Sequence, residues 1–455
     1  MRALRSDSFA AGAAVAALSA SVLVVLAEIA RALTVGSQDG GWLYPYVGDR
    51  FTPLIFAPFV VVFALAAALL WLTRRTLERH EAATLGGWMI AGLVGQLILR
   101  WHAPAPLDAI VRSDSANSFY TVARQHGPAD LIRRFPEIRE TLASHARTNM
   151  PGKVLLYSLL EQATANPRLL ALALMALSNA GGWLLYLVVF DLFGDRWTAA
   201  YALILYLFMP GRLFFMPLLN TISPIVVLGC LFLHVRMLRA QRWPWAIALG
   251  VALFALAFFE PLPLTMGLLF VAVIVAALVD GRIRIATAAW LVAVVTLAFA
   301  STYLLARLAG YDLVAGMRYA LQDARHFNVV AARSYRIWVV QNLIDFALCT
   351  GVASAALIPA AIAAALDDER PWRERLTGPV AVWAAGTIAV IAFLDVAGVN
   401  RGEVVRLWIF AGCFVQVLPA SLCARARSVA PFAIVLAGLL LEAAVGIARV
   451  GYVLP

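Results

Sequence analysis

Charge is scarce in this chain and lysine nearly absent: only 14% of its 455 residues are charged, and Lys153 is the sole lysine among 36 basic side chains. That scarcity, with 63% hydrophobic residues and a mean hydropathy of +0.84, excludes a soluble globular enzyme. Cysteine is equally sparse. Cys230, Cys349, Cys413 and Cys423 stand in apolar runs without the CxxC or Cys/His spacing of a metal site, and read as small buried hydrophobes. No GxxxxGK[ST] loop, GxGxxG fingerprint or aromatic-interleaved basic patch is present. Nucleotide-driven transport and nucleic-acid binding therefore have no sequence support. A fixed-period repeat, a low-complexity tract and a Gly/Ser-rich linker are also missing, so nothing marks a second domain.

What the chain has in abundance is long apolar runs. A bilayer-crossing helix needs about 20 predominantly apolar residues. Windows of that kind fall at roughly 9–33, 53–72, 84–99, 168–193, 197–209, 218–237, 243–259, 261–279, 285–306, 342–366, 378–396, 405–423 and 429–449. The expected fold is an all-α polytopic membrane protein of about 13 transmembrane helices. The run 197–209 is short, which suggests a broken or tilted helix. Arg2 and Arg5 precede a first apolar run too long for a signal-peptide core, so it reads as a retained span. With the N-terminus cytoplasmic, the short inner loops carry Arg74, Arg75, Arg236, Arg239, Arg282, Arg284, Arg425 and Arg427, as the positive-inside rule requires. The C-terminus and two long segments, about 100–167 and 307–341, then lie outside the cytoplasm. The expected organisation is one transmembrane domain over 1–455, with three N-terminal spans in 1–99 and an outer catalytic loop in 100–167. Core spans follow in 168–306, an outer basic loop in 307–341 and C-terminal spans in 342–455.

In the first long loop, Phe119, Val122, Ala123, Leu131, Ile132 and Phe135 recur at three- and four-residue spacing beside Arg124, Arg133 and Arg134. Such spacing predicts amphipathic helices at the membrane surface. Asp114, in Ser113-Asp114-Ser115, opens the first of them. It reads either as part of an N-cap or as a catalytic carboxylate kept basic by partial desolvation. The loop closes on Ser144-His145-Ala146-Arg147-Thr148-Asn149-Met150-Pro151-Gly152-Lys153 and enters an apolar run. Helix-end N–H groups and the Lys153 ammonium converging at a Pro-Gly turn would make an anion site; the alternative is an ordinary turn with snorkelling cations.

An acidic residue in an outer loop, then a helix carrying Phe119 and Tyr120, then an Asn149-Met150-Pro151-Gly152 turn leading into a helix resembles the front half of the GT-C superfamily of membrane glycosyltransferases. The run LYLVVFDLFGDRWTAAYALILYLFMP is similar to that superfamily's phenylalanine-glycine turn, and RGEVVRLWIF to segments of its actinobacterial mannosyl- and arabinosyltransferase-like members. The resemblance covers about 108–240, and 400–410 locally. It implies an inverting enzyme that moves a sugar from a polyprenyl-phosphate carrier to a glycan, glycolipid or protein acceptor of the cell envelope, outside the cytoplasm. Asp114 takes the place of the expected base, with Tyr120, His145 and Asn149 as substrate-binding residues. Here the loop follows the third span rather than the first. Asp114 also lacks a neighbouring acid, so no paired-acid motif supports a divalent metal, and no other cofactor is implied.

The second long loop carries Arg307, Arg318, Arg325, Arg333 and Arg336 against only Asp312 and Asp323, contrary to the positive-inside rule. These arginines read either as attraction to anionic lipid or as a grip on a lipid-linked phosphate, with Arg325, Arg333 and Arg336 as donor-phosphate ligands. Near the C-terminus, Arg401 and Arg406 are candidates for the same phosphate. Glu403, three residues before Arg406, forms a structural pair with it or binds sugar. Arg212 and Glu260 lie at outer turns as further substrate-binding candidates, while His234 reads as an interfacial histidine. Two other classes remain open: a transporter or flippase of a lipid-linked or anionic solute, and a non-catalytic assembly subunit. The net charge of +10 thus divides into an inner share that orients helices and an outer share suited to an anionic substrate.

Overall fold

The computed structural model describes residues 7–48, 51–367 and 371–455, so Arg2 and Arg5 lie outside the described residues. Helix ends fall where the sequence supplies caps. Asn166 accepts from the backbone N–H groups of Arg168 and Leu169 and starts the helix Pro167–Phe193. That helix ends on Gly194 at φ 68°, and Asp195 at once caps Arg196–Leu207 by accepting from Trp197 and Thr198. Gly194 and Asp195 alone therefore reverse the chain between two spans.

Among the described residues, 10 helices are long and apolar enough to cross a bilayer: Asp7–Ile29, Pro53–Thr76, Glu81–His102, Pro167–Phe193, Arg196–Phe215, Leu219–Ala240, Leu262–Val279, Ile285–Leu308, Pro379–Ala397 and Ala430–Arg449. Tyr335–Thr350 and Val352–Leu366 meet at 110°, and taken as one broken span they raise the number to 11. The chain is an all-α polytopic membrane protein. It has fewer full-length spans than the expected 13 or so because Trp243–Phe259 and Ile409–Ala424 are short apolar helices. At 17 residues the first of these rises about 25 Å, less than a hydrocarbon core of about 30 Å.

The stretch expected to be short, 197–209, turns out to be the centre of the bundle. It continues through Pro210 to Phe215 and is buried throughout from Thr198 onward. Arg212 belongs to this enclosed span rather than to an outer turn. Its guanidinium donates to the Tyr206 carbonyl, to Ser178 Oγ at 2.8 Å and to Asn179 Oδ1 at 3.0 Å, and lies 3.9 Å from the centre of the Tyr206 ring. Gln96 and Asn179 exchange amide hydrogen bonds beside it. These bonds satisfy most of the polar groups there, Arg212 Nε excepted, where water is absent.

The first and last spans pack against each other, and the loop segments gather over one end of the bundle. The amphipathic pattern of the first long loop gives the short helices Leu107–Arg112, Asp114–Gln125, Pro128–Arg133 and Phe135–Ile138, then Ser144–Thr148 and Gly152–Glu161. Their apolar faces turn into the protein rather than onto a membrane surface. Phe119, Val122, Leu131 and Phe135 join Met150, Val154, Tyr157, Leu174, Phe259, Tyr311 and Leu313 in a second core. Leu313–Val330, capped by Asp312 accepting from Ala315 N, docks onto this unit, where Arg139 pairs with Asp323 and lies 4.9 Å from the Tyr319 ring.

Candidate functional site

The Pro-Gly turn builds the first half of the site. A Cβ on residue 152 would lie 2.6 Å from the Phe258 carbonyl oxygen and 2.9 Å from Phe259 Cα, so only glycine lets this helix start against the end of Trp243–Phe259. That approach sets Lys153 beside Glu260, the residue that ends the neighbouring helix. The ammonium lies 3.2 Å from Glu260 Oε1 and 3.1 Å from Asn149 Oδ1, between the rings of Phe119 and Phe259 at 5.8 Å each. The other Glu260 oxygen accepts from Ser223 Oγ. Burial pulls the Lys153 pKa below its ordinary value, and the Glu260 carboxylate opposes that pull.

The second half comes from the turn after Pro379–Ala397. Gly402 and Glu403 are both left-handed, at φ 86° and 59°. A side chain at 402 would meet the Trp338 ring at 2.8 Å, so the turn requires glycine. Asn342, inside an apolar helix, holds the turn by donating to the Asn400 carbonyl at 3.1 Å and accepting from Gly402 N at 3.2 Å. Glu403 faces two guanidiniums: Oε1 accepts from Arg333 at 2.9 Å and Oε2 from Arg406. Burial would raise the Glu403 carboxyl, but Arg406 and Arg333 outweigh it and hold the pKa below the ordinary value. Arg333 also donates to the Arg401 carbonyl at 2.7 Å while Arg401 donates to the Arg333 carbonyl at 3.0 Å, which clasps the two loops together.

The halves meet at a cavity of about 30 Å³, bordered by Asn117, Phe119, His145, Asn149, Lys153, Leu218, Asn220 and Arg406. That is room for about two waters. His145 lies at its rim with Nε2 2.8 Å from the Ser115 carbonyl oxygen. A carbonyl only accepts, so Nε2 carries the hydrogen and Nδ1 the lone pair. Burial, with Arg406 next in size, lowers its pKa to about 4, so the ring is neutral at pH 7. The unfolded histidine titrates near 6.5, above the folded one. As pH falls from about 6.5 to 4 the unfolded chain therefore gains a proton that the native state refuses, and stability declines. Replacing His145 with Gln is expected to flatten that part of the pH dependence of thermal unfolding in detergent.

The expected residues are only partly brought together. Lys153, His145, Asn149 and Arg406 share the cavity, with Glu260, Glu403 and Arg333 immediately behind. Arg401 is engaged with backbone beside them. Asp114 is exposed in the first turn of its helix, two residues from the cavity-lining Ala116; Ser113, not Asp114, caps that helix by accepting from Ala116 N at 3.1 Å. The partial desolvation expected of Asp114 is not found. Tyr120 is buried one layer back, its hydroxyl accepting from Arg124 at 3.1 Å and its ring edge-on to Tyr157. Arg325 and Arg336 are exposed away from the cavity walls, Arg212 is enclosed in the bundle, and His234 is buried in its span against Phe270 instead of interfacial. No cluster of three or more His, Cys, Asp or Glu fit for a metal occurs among the described residues. Nothing in the sequence singles out Asn117, Asn342 or Ser223; a lone polar residue in an apolar pattern gives no signal until its partner is known.

Compared with known proteins, the chain matches no family model and no curated sequence.

Proposed function

We propose that the protein is a glycosyltransferase of the GT-C type, taking its sugar from a polyprenyl-phosphate donor outside the cytoplasm and passing it, with inversion, to a cell-envelope acceptor. The observation that carries this reading is the meeting of Lys153 and Arg406 on one cavity at the loop-bearing end of a membrane bundle. With Arg333 they make three cations against the carboxylates of Glu260 and Glu403, beside a neutral His145. One positive charge is left over, which suits a singly charged phosphodiester better than a diphosphate.

In this mechanism Lys153 and Arg406 hold the phosphate, and the acceptor hydroxyl attacks the anomeric carbon from the opposite side. The bond from anomeric carbon to phosphate oxygen breaks, and the lipid phosphate leaves with its charge met by the two cations. Asp114, exposed two residues before the cavity-lining Ala116, takes the hydroxyl proton. A sugar phosphate needs more room than two waters, so binding displaces at least one wall.

Transfer of labelled sugar from a polyprenyl-phosphate donor by the purified protein tests the reading. Asp114→Asn is expected to lower the rate by about 10²–10⁴ while leaving donor binding intact; full activity in that variant removes Asp114 from the role. A second reading, transport of an anionic or lipid-linked solute, draws on the 110° break between Thr350 and Val352, where Glu442 accepts from Val352 N and from Ser21 Oγ inside the bundle. Solute movement in proteoliposomes without covalent transfer would favour it.

A further inference from the structure

We propose that Asn117 selects the donor by reading the hydroxyl next to the anomeric carbon; this rests on the glycosyltransferase reading above. Asn117 interrupts the helix Asp114–Gln125 and is 1% exposed. Its amide nitrogen donates to the Val111 carbonyl at 3.0 Å and to the Tyr157 hydroxyl at 2.7 Å. A carbonyl cannot donate, so the Val111 contact fixes which end of the amide is nitrogen, and both of its hydrogens are used. The remaining atom, Oδ1, is buried with no partner and closed off from the cavity that the residue borders, so a ligand meets it only when the wall displaced on binding opens. An acceptor left this way is costly, and a bound donor group repays it.

The charged groups around the cavity have the opposite character. Lys153 and Arg406 offer only hydrogens, and Arg406 Nε is likewise buried without a partner. A bare oxyanion satisfies the cations but is repelled by Asn117 Oδ1. The ligand that satisfies both carries an anionic oxygen and a hydroxyl a few bonds away, as a glycosyl phosphate does at the ring carbon beside the anomeric one. Hexoses or pentoses with a free 2-hydroxyl are therefore the substrate class.

The test uses the full-length protein in nanodiscs with polyprenyl-phosphoryl glucose and its 2-deoxy counterpart, followed by competition binding and by transfer. The 2-hydroxy donor is expected to be favoured about tenfold to a hundredfold over the 2-deoxy one, as for other sites built to bond a hydroxyl. In Asn117→Ala the ratio of 2-hydroxy to 2-deoxy binding and transfer should fall toward one. Equal handling of 2-hydroxy and 2-deoxy donors by the wild-type protein overturns the inference whether or not the variant folds. Failure of every donor to bind overturns the glycosyltransferase reading and this inference with it.

Discussion

Replacing Lys153 with Met is expected to cut sugar transfer by at least 10²-fold, in line with removal of a preorganised charge from a reacting phosphate, and to destabilise the protein by about 3–5 kcal/mol. The second effect arises because Glu260 is left as a buried carboxylate with only Ser223 to hold it. Lys153→Met with Glu260→Gln separates the two consequences. The pair removes both charges together, so most of the lost stability should return, as found when buried ion pairs are replaced whole. Transfer should stay low, because the phosphate has lost its ammonium. Thermal unfolding in detergent reads the first quantity and initial rates the second. Recovery of both in the double variant would show that Lys153 serves only to neutralise Glu260.

Removing Glu403 is the other severe change. In Glu403→Ala two guanidiniums, on side chains 3% and 17% exposed, face each other without an anion, at an expected cost of about 3–5 kcal/mol. Glu403→Gln keeps an acceptor and should cost less. The disturbance should be local. Gly402 and Glu403 hold left-handed conformations only because Trp338, Asn342 and the Arg333–Arg401 clasp fix the turn. Hydrogen exchange across 398–408 is expected to quicken in Glu403→Ala while the spans keep their protection. Uniform loss of protection would mean that the turn is wired into global stability instead.

Much of the membrane architecture was legible because lipid imposes a simple rule: every backbone group bonds within its helix, and apolar length marks the span. The rule fails where protein replaces lipid. The window 197–209 reads as a short, broken or tilted span because Pro210 and Arg212 interrupt its pattern, yet both are enclosed and Arg212 is held by Tyr206, Ser178 and Asn179. At the site, Lys153, Arg406, His145 and Asn149 stood out because polar residues near apolar helix ends need a reason. Their partners did not. Nothing in the sequence ties Glu260 to Lys153, or distinguishes Arg333, which is buried against Glu403, from Arg325 and Arg336, which stay exposed in the same basic stretch. Those choices are made by the packing of distant segments, as with Gly152 against Phe258.

The most direct test of where the chemistry occurs is photo-cross-linking of the full-length protein in nanodiscs. The probe is a polyprenyl-phosphoryl sugar carrying a diazirine on the isoprene unit nearest the phosphate, with labelled peptides mapped by mass spectrometry. Labelling should fall on peptides containing His145–Lys153, Leu218–Asn220 and Arg406, and excess unlabelled donor should suppress it. Labelling that unlabelled donor leaves unchanged, or that concentrates on the broken helices between Tyr335 and Leu366, would contradict a donor site built around Lys153 and Arg406.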